Sequence, residues 1–210
     1  MAEWGPVILL EMCEGLPLRA EQREDRTHVA AGGDTVIEHI ESIISRDSAG
    51  RIRLEWLEQR EGEDPVELVY LIDARSYSYI LAAKENVAAR VCGPGSQIIF
   101  PTIGRLFPGG KWQSTVEQLG TRTFQELVLA GTRTTWTMED DPTESGTEER
   151  WRSESLRLCY AASSHGPTWK HEAQLSIISR SEPDPRLWSL PPLCKVEELE
   201  GDVPSGSRQG

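Results

Sequence analysis

The feature that most restricts the fold is a series of short runs with period two, each closed by turn residues. In residues 51–59, Ile52, Leu54 and Trp56 alternate with Arg51, Arg53 and Glu55. Val66, Leu68, Tyr70 and Ile72 then share a face, and Tyr77, Tyr79 and Leu81 repeat the pattern. Asp47-Ser48-Ala49-Gly50, residues 61–65 and residues 73–76 separate these runs. Alternation of this kind describes strands with one face packed and the other solvated, and tight turns between them describe an antiparallel meander. The pattern resumes over 121–138, with Gly131 as a kink or bulge, then over 147–152, 156–164 and 168–178. The expected fold is therefore mainly β: a curved, half-barrel-like antiparallel meander of about eight strands. Residues 35–81 make its first half and residues 121–178 its second.

Three stretches depart from that rhythm. In residues 35–46, Val36, Ile37, Ile40, Ile43 and Ile44 fit one face of a helix, and Asp34 stands where an N-cap would. The β-branched content and the neighbouring runs favour a strand, which is the expectation adopted. Residues 84–112 are crowded with Gly and Pro around Ile98, Ile99, Phe100, Leu106 and Phe107. They are expected as a long crossing loop, with a short helix near 103–107. Residues 179–192, SRSEPDPRLWSLPP, end the alternation with Pro183 and Pro185, which cannot donate to a sheet ladder. Leu187, Trp188 and Leu190 follow, so this Pro-bounded turn is expected to dock back on the sheet and close its core. A last short strand is expected at 193–196. The domain is expected to span 27–196, with residues 1–26 as an N-terminal extension and 197–210 as a disordered acidic, Gly/Ser-rich tail.

Composition narrows the function classes. The chain of 210 residues has a formal net charge of −12, which argues against nucleic acid or an anionic membrane surface as partner. No apolar run approaches the length of a transmembrane helix, and residues 7–10 are too short for a signal-peptide core. The sequence as written reads as soluble and cytoplasmic. Cys13, Cys92, Cys159 and Cys194 form no CxxC pair and have no His at zinc-ligand spacing, so free buried thiols are expected.

Three segments resemble one family of bacterial proteins, mostly uncharacterised and often exported. They are Arg46-Asp47-Ser48-Ala49-Gly50-Arg51-Ile52-Arg53; Leu119-Gly120-Thr121 with Ala130-Gly131-Thr132-Arg133-Thr134-Thr135; and Glu149-Arg150-Trp151 with Ser181-Glu182-Pro183-Asp184-Pro185. The family pattern runs RDSxGRxR, LGTxTxxG, GTRTTxT, SERWYS, EPDPxLFxxP, and it covers roughly residues 27–196 in order. Arg152 stands where the family has an aromatic, and Trp188 where it has Phe. The exported members carry a signal, so the resemblance admits a cell-envelope location if that signal has been lost or truncated. It supplies no catalytic residues. More remotely, the meander and the Asp-Pro-x-Leu-aromatic ending are similar to the half-barrel of bacterial lipoprotein carriers, where a curved sheet holds an acyl chain in its concave face. That similarity implies fold and only weakly function.

The candidate binding residues are the aromatics of the strand runs: Trp56, Tyr70, Tyr79, Trp136, Trp151, Trp169 and, in the closing turn, Trp188. Such residues fill the core of a single sheet or line an apolar cavity in its concave face. The preferred reading is a non-catalytic binding or carrier domain for an apolar small molecule, a lipid or a partner segment, with no cofactor. The alternative is a small enzyme with a site built from the 84–112 loop and His/Glu side chains. His28, His39, His165 and His171 offer at most two histidines close together, fewer than the three convergent ligands a metal needs. Glu139, Asp140 and Asp141 read as a solvated acidic loop, and Ser163, His165 and Glu172 lack the turn that presents a hydrolase nucleophile.

Overall fold

The computed structural model describes residues 9–29, 32–58, 66–73, 78–82, 86–92, 111–141, 143 and 145–198. Among them run twelve strands in one sheet. They are β1 (Leu18–Val29), β2 (Thr35–Arg46), β3 (Ile52–Glu58), β4 (Val66–Ile72), β5 (Ser78–Ala82), β6 (Val87–Cys92), β7 (Trp112–Phe124), β8 (Leu127–Met138), β9 (Ser145–Ser153), β10 (Leu158–His165), β11 (Trp169–Ser179) and β12 (Lys195–Glu198). Their spatial order is β12-β6-β5-β4-β3-β2-β1-β11-β10-β9-β8-β7. Two meanders, β1 to β6 and β7 to β11, thus join where β1 pairs antiparallel with β11. The sheet is open: β12, parallel to β6, forms one edge and β7 the other.

The mainly β, antiparallel meander read from the sequence is the observed fold, with twelve described strands where about eight were expected. β12 answers to the last short strand expected at 193–196, and three sources supply the rest of the difference. Residues 121–138 belong to two long hairpin partners, β7 and β8, which turn at Gln125-Glu126, each with positive φ. Val87–Cys92 is a strand rather than part of the crossing. β1 is the third, and the expected boundary at 26/27 falls inside it. The 93–110 stretch, the short helix near 103–107 and the tail beyond 198 lie outside the described residues.

β1 shows no sustained apolar alternation in its sequence because half of its buried residues are polar. Leu18, Ala20, Gln22 and Glu24 are buried in strict alternation with Arg19, Glu21, Arg23 and Asp25. β2 is a strand because both its neighbours bond to it. It pairs with β1 along its whole length and with β3 from Ser42 to Arg46. Its helix-like apolar set divides between the two faces: Val36, Ile40 and Ile44 turn inward, while Ile37 is exposed.

The main core lies on that inward face. Leu54, Ile44, Ala20 and Ile177 stand side by side on β3, β2, β1 and β11. Leu18, Ile52, Trp56, Leu158, Tyr160, Ala173 and Leu175 extend the cluster, and Leu9 and Leu10 from the N-terminal segment join it. Leu10 bridges to Leu158, and Leu9 accepts a backbone hydrogen bond from Cys159. A second, smaller cluster occupies the opposite face of β4 to β6: Val69, Leu71, Leu81 and Ala88, with Tyr79, Leu190 and Cys194 packed on it.

The β2–β3 turn is the meeting point of the chain. Arg46 is fully buried, and its guanidinium donates to the carbonyls of Leu16, Glu11, Arg157 and Leu156. One side chain thereby ties the N-terminal segment and the β9–β10 turn to the end of β2. Burial pushes the guanidinium below its ordinary value, yet an arginine stays protonated far above neutrality. Asp47, also buried, accepts from the Arg51 backbone N–H (2.8 Å) and from its guanidinium. Gly50 closes the turn with φ +83°, and a Cβ there would lie 3.0 Å from the Cys13 backbone, so only glycine fits.

Candidate functional site

The inner face is the candidate site, and its composition changes along the strands. At the end closed by Arg46, Ile44, Ile52 and Leu54 are fully buried. Further along β2 and β11, Val36, Ile40 and Trp169 point to the same side and are only half-buried, and so are Leu68 and Tyr70 on β4, Tyr70 directly across from Leu54. Trp56 and Tyr70 meet edge to face, with centroids 4.6 Å apart. Trp136 and Trp169 stack at 6.4 Å, the Trp136 ring lying where a Cβ on Gly146 would be.

A polar cluster interrupts this apolar surface. The Glu24 carboxylate, 1% exposed, accepts from Gln22 Nε2 (2.7 Å), Arg26 Nη2 (2.9 Å) and His171 Nε2 (3.0 Å). A buried carboxylate is tolerated only when charge and hydrogen bonds offset its lost hydration, and Arg26 supplies the charge. On β2, directly opposite Gln22, the buried Ser42 hydroxyl has no hydrogen-bond partner among the described residues. Sequence reading missed Gln22 and Glu24 because they sit in what looks like a solvated charge run; uncharged Leu18, Ala20 and Gln22 do alternate with Arg19, Glu21 and Arg23, but Glu24 carries no such signal.

The seven aromatics expected at the site do not share one place. Trp56 and Tyr70 are together on the inner face, as are Trp136 and Trp169. Trp151 instead covers Gly131, across from it on β8, where a Cβ would sit 2.6 Å from the ring; the Arg122 guanidinium lies 3.9 Å from its centroid. Tyr79 and Trp188 lie on the opposite face. They line a small cleft of about 70 Å³ together with Arg51, Leu71, Ile72, Asp73 and Leu190.

The Pro-bounded turn accounts for that second location. Leaving β11, the chain crosses the outer face of β3 to β6 to reach β12. Glu182 accepts from the Ser48 backbone N–H, Leu187 accepts from Arg53 (2.9 Å), and Arg51 lies over the Trp188 ring at 5.2 Å. Asp184 caps the 3₁₀ turn Pro185–Trp188, accepting from the Arg186 backbone and side chain. This strap covers the outer cluster, and Trp188 is half-buried there rather than sealing the main core. The RDSxGRxR and EPDPxL segments are thus two sides of one contact.

The remaining candidates are dispersed. His39 pairs with Asp25 on the outer face and His171 with Glu24 on the inner face. Glu172 is opposite Ser163 but bonds to Lys170 (2.8 Å). Among the described residues no group of three or more His, Cys, Asp or Glu side chains is placed to hold a metal ion. Cys13, Cys159 and Cys194 are free thiols, and burial pushes the Cys159 thiol up. No described helix is long and apolar enough to cross a membrane.

No family model matches the chain, and no curated protein matches it either. Solved structures do. The chain is similar to the lipoprotein LppX of Mycobacterium tuberculosis at 9% identity, over 81% of this chain and 91% of that one, with a TM-score of 0.38. A LolA superfamily protein from Nitrosomonas europaea gives 8%, 81%, 89% and 0.40. A DUF1329 family protein from Desulfovibrio piger gives 7%, 83%, 90% and 0.36. Similarity at this level concerns the course of the sheet alone.

Proposed function

We propose that this is a non-catalytic binding domain whose inner face takes an apolar ligand or a partner segment. The observation that carries the reading is the graded burial of that face. Its apolar residues pass from fully buried Ile44, Ile52 and Leu54 to half-buried Val36 and Ile40 further along β2, and to half-buried Leu68 and Tyr70 on β4 beside β3. Apolar surface that the described chain only half covers gains free energy from any apolar group laid on it, about 25 cal/mol per Å².

The test combines native mass spectrometry of freshly purified protein with fluorescence titration against palmitate. The expected result is retained or bound amphiphile and a tryptophan emission shift on titration. Val36→Glu, which sets a charge in the half-covered row, is expected to abolish the shift and leave the thermal midpoint nearly unchanged. An equal response from Val36→Glu, or no binding to the unaltered protein, rules the inner face out.

A further inference from the structure

The two edges of the sheet differ. β12 is four residues long and carries Lys195, Glu197 and Glu198, the short and charged construction that blunts an edge. β7 is thirteen residues long, and apart from Trp112 and Leu119 every side chain on it is exposed. In a chain of net charge −12 this strand is neutral, with Glu117 and Arg122 as its two charged residues. It contains no proline, and among the described residues its outer backbone edge pairs with no other strand.

Glu117 and Arg122 are symmetric about the Leu119–Gly120 peptide. In a regular strand, residues five apart point to opposite faces, and a two-fold pairing about that point would set them on opposite sides. Here a bulge intervenes. Gln118 faces Thr132 and Gly120 faces Gly131, leaving Leu119 without a counterpart on β8. Glu117 is therefore opposite Arg133, and Arg122 opposite Leu129, two residues on the same face of the regular β8. The bulge brings both charges to one face and gives both the same edge orientation.

We propose that β7 pairs antiparallel with β7 of a second copy about a two-fold axis at Leu119–Gly120, continuing the sheet across a dimer. Glu117 of each copy then faces Arg122 of the other, Val116 faces Thr123, and Gln118 faces Thr121. An isologous interface requires such self-complementarity, and opposite charges directly across two strands favour the register while like charges oppose it. Arg122 has no carboxylate partner among the described residues; its guanidinium lies over Trp151, which holds it in place.

The test is sedimentation equilibrium at micromolar concentration, with wild type, Glu117→Arg, Arg122→Glu and the double swap. Wild type is expected to dimerise. Each single variant puts like charges opposite each other at two symmetric places and should weaken the dimer about tenfold or more. The double swap should restore it. Loss of the Glu117–Arg133 contact is common to Glu117→Arg and the double swap, so recovery reports the pairing between copies. Hydrogen exchange gives an independent measurement: β7 amides in wild type should become more protected as concentration rises. A wild-type monomer would leave the edge to a strand of some other protein and overturn the proposal. Single variants that dimerise normally, or a folded double swap that stays monomeric, would also overturn it.

Discussion

Arg46 acts as an internal crosslink made of hydrogen bonds. Its side chain satisfies four carbonyls from two segments, more than 100 residues apart, in a place that water does not reach. Removing it takes the guanidinium from the carbonyls of Leu16, Glu11 and Leu156, while that of Arg157 keeps the Glu11 backbone N–H. Arg46→Met is expected to lower unfolding stability by about 3–5 kcal/mol, read from urea denaturation. Arg46→Lys should recover only part, since a compact ammonium cannot replace the planar fork; full recovery would disprove the crosslink argument. Gly131 and Trp151 make a second residue-scale case. Gly131→Ala places a methyl inside the Trp151 ring volume, so its cost should be large in wild type and fall to a few tenths of a kcal/mol in a Trp151→Ala background. Additive costs would mean that the ring does not lie over Gly131. At this scale the sequence was legible as motif but not as role. Arg46, Gly50, Gly131 and Trp151 stood out in repeating patterns, yet their partners are backbone atoms and ring faces brought in from elsewhere in the chain, which no local pattern records. Glu24 was hidden altogether, because a buried carboxylate and a solvated one look alike in a row of charges.

The strap shows how far element-scale reading reaches. Pro183 and Pro185 correctly marked the end of the sheet pattern, and the docking of Leu187, Trp188 and Leu190 was legible from their spacing. Which face they dock on was not, since both faces of β4 to β6 carry apolar residues, inward Leu68, Tyr70 and Ile72 and outward Val69 and Leu71. Trp188 is half-buried, and its indole N–H is buried without a partner among the described residues. Trp188→Ala should therefore cost about 1–2 kcal/mol, less than a residue sealing the main core. Trp188→Phe, which removes the unpaired donor, should be close to neutral. A cost for Phe as great as for Ala would give that N–H a role the geometry does not contain. The Asp184 cap supplies a pH test. The Arg186 side chain, and secondarily its backbone N–H, hold the Asp184 carboxyl at about 2 against an ordinary 3.8. With the folded value depressed, its contribution is fully present above the ordinary value and is lost as pH falls through about 2. Carboxyl-carbon NMR titration should place the midpoint there in wild type and raise it towards, but not to, the ordinary value in Arg186→Gln, which keeps the backbone N–H.

For the whole molecule, the decisive fact is that two apolar clusters meet on opposite faces of β4. The larger unites β1 to β4, β8, β10, β11 and the N-terminal segment; the smaller holds β4 to β6 against the strap. Among the described residues only β3 and β4 are common to the inner core and the strap's contacts, so cooperativity between the two ends of the sheet passes through them. Truncation after Arg180 tests this. It removes the Glu182–Ser48 and Leu187–Arg53 hydrogen bonds and uncovers Val69, Leu71 and Leu81, while Arg46 and the inner core keep every partner. Hydrogen exchange on the truncated chain should show β5 and β6 opening with little free energy. Amides of β1, β2 and β11, at the centre of the sheet, should retain most of their protection. Trp56, on the inner face, should keep its buried emission, and the global urea midpoint should fall by less than it does for Arg46→Met. Uniform loss of protection across β1, β2, β5 and β6 would show instead that the strap stabilises the whole sheet, and that the two clusters are one cooperative unit despite lying on opposite faces.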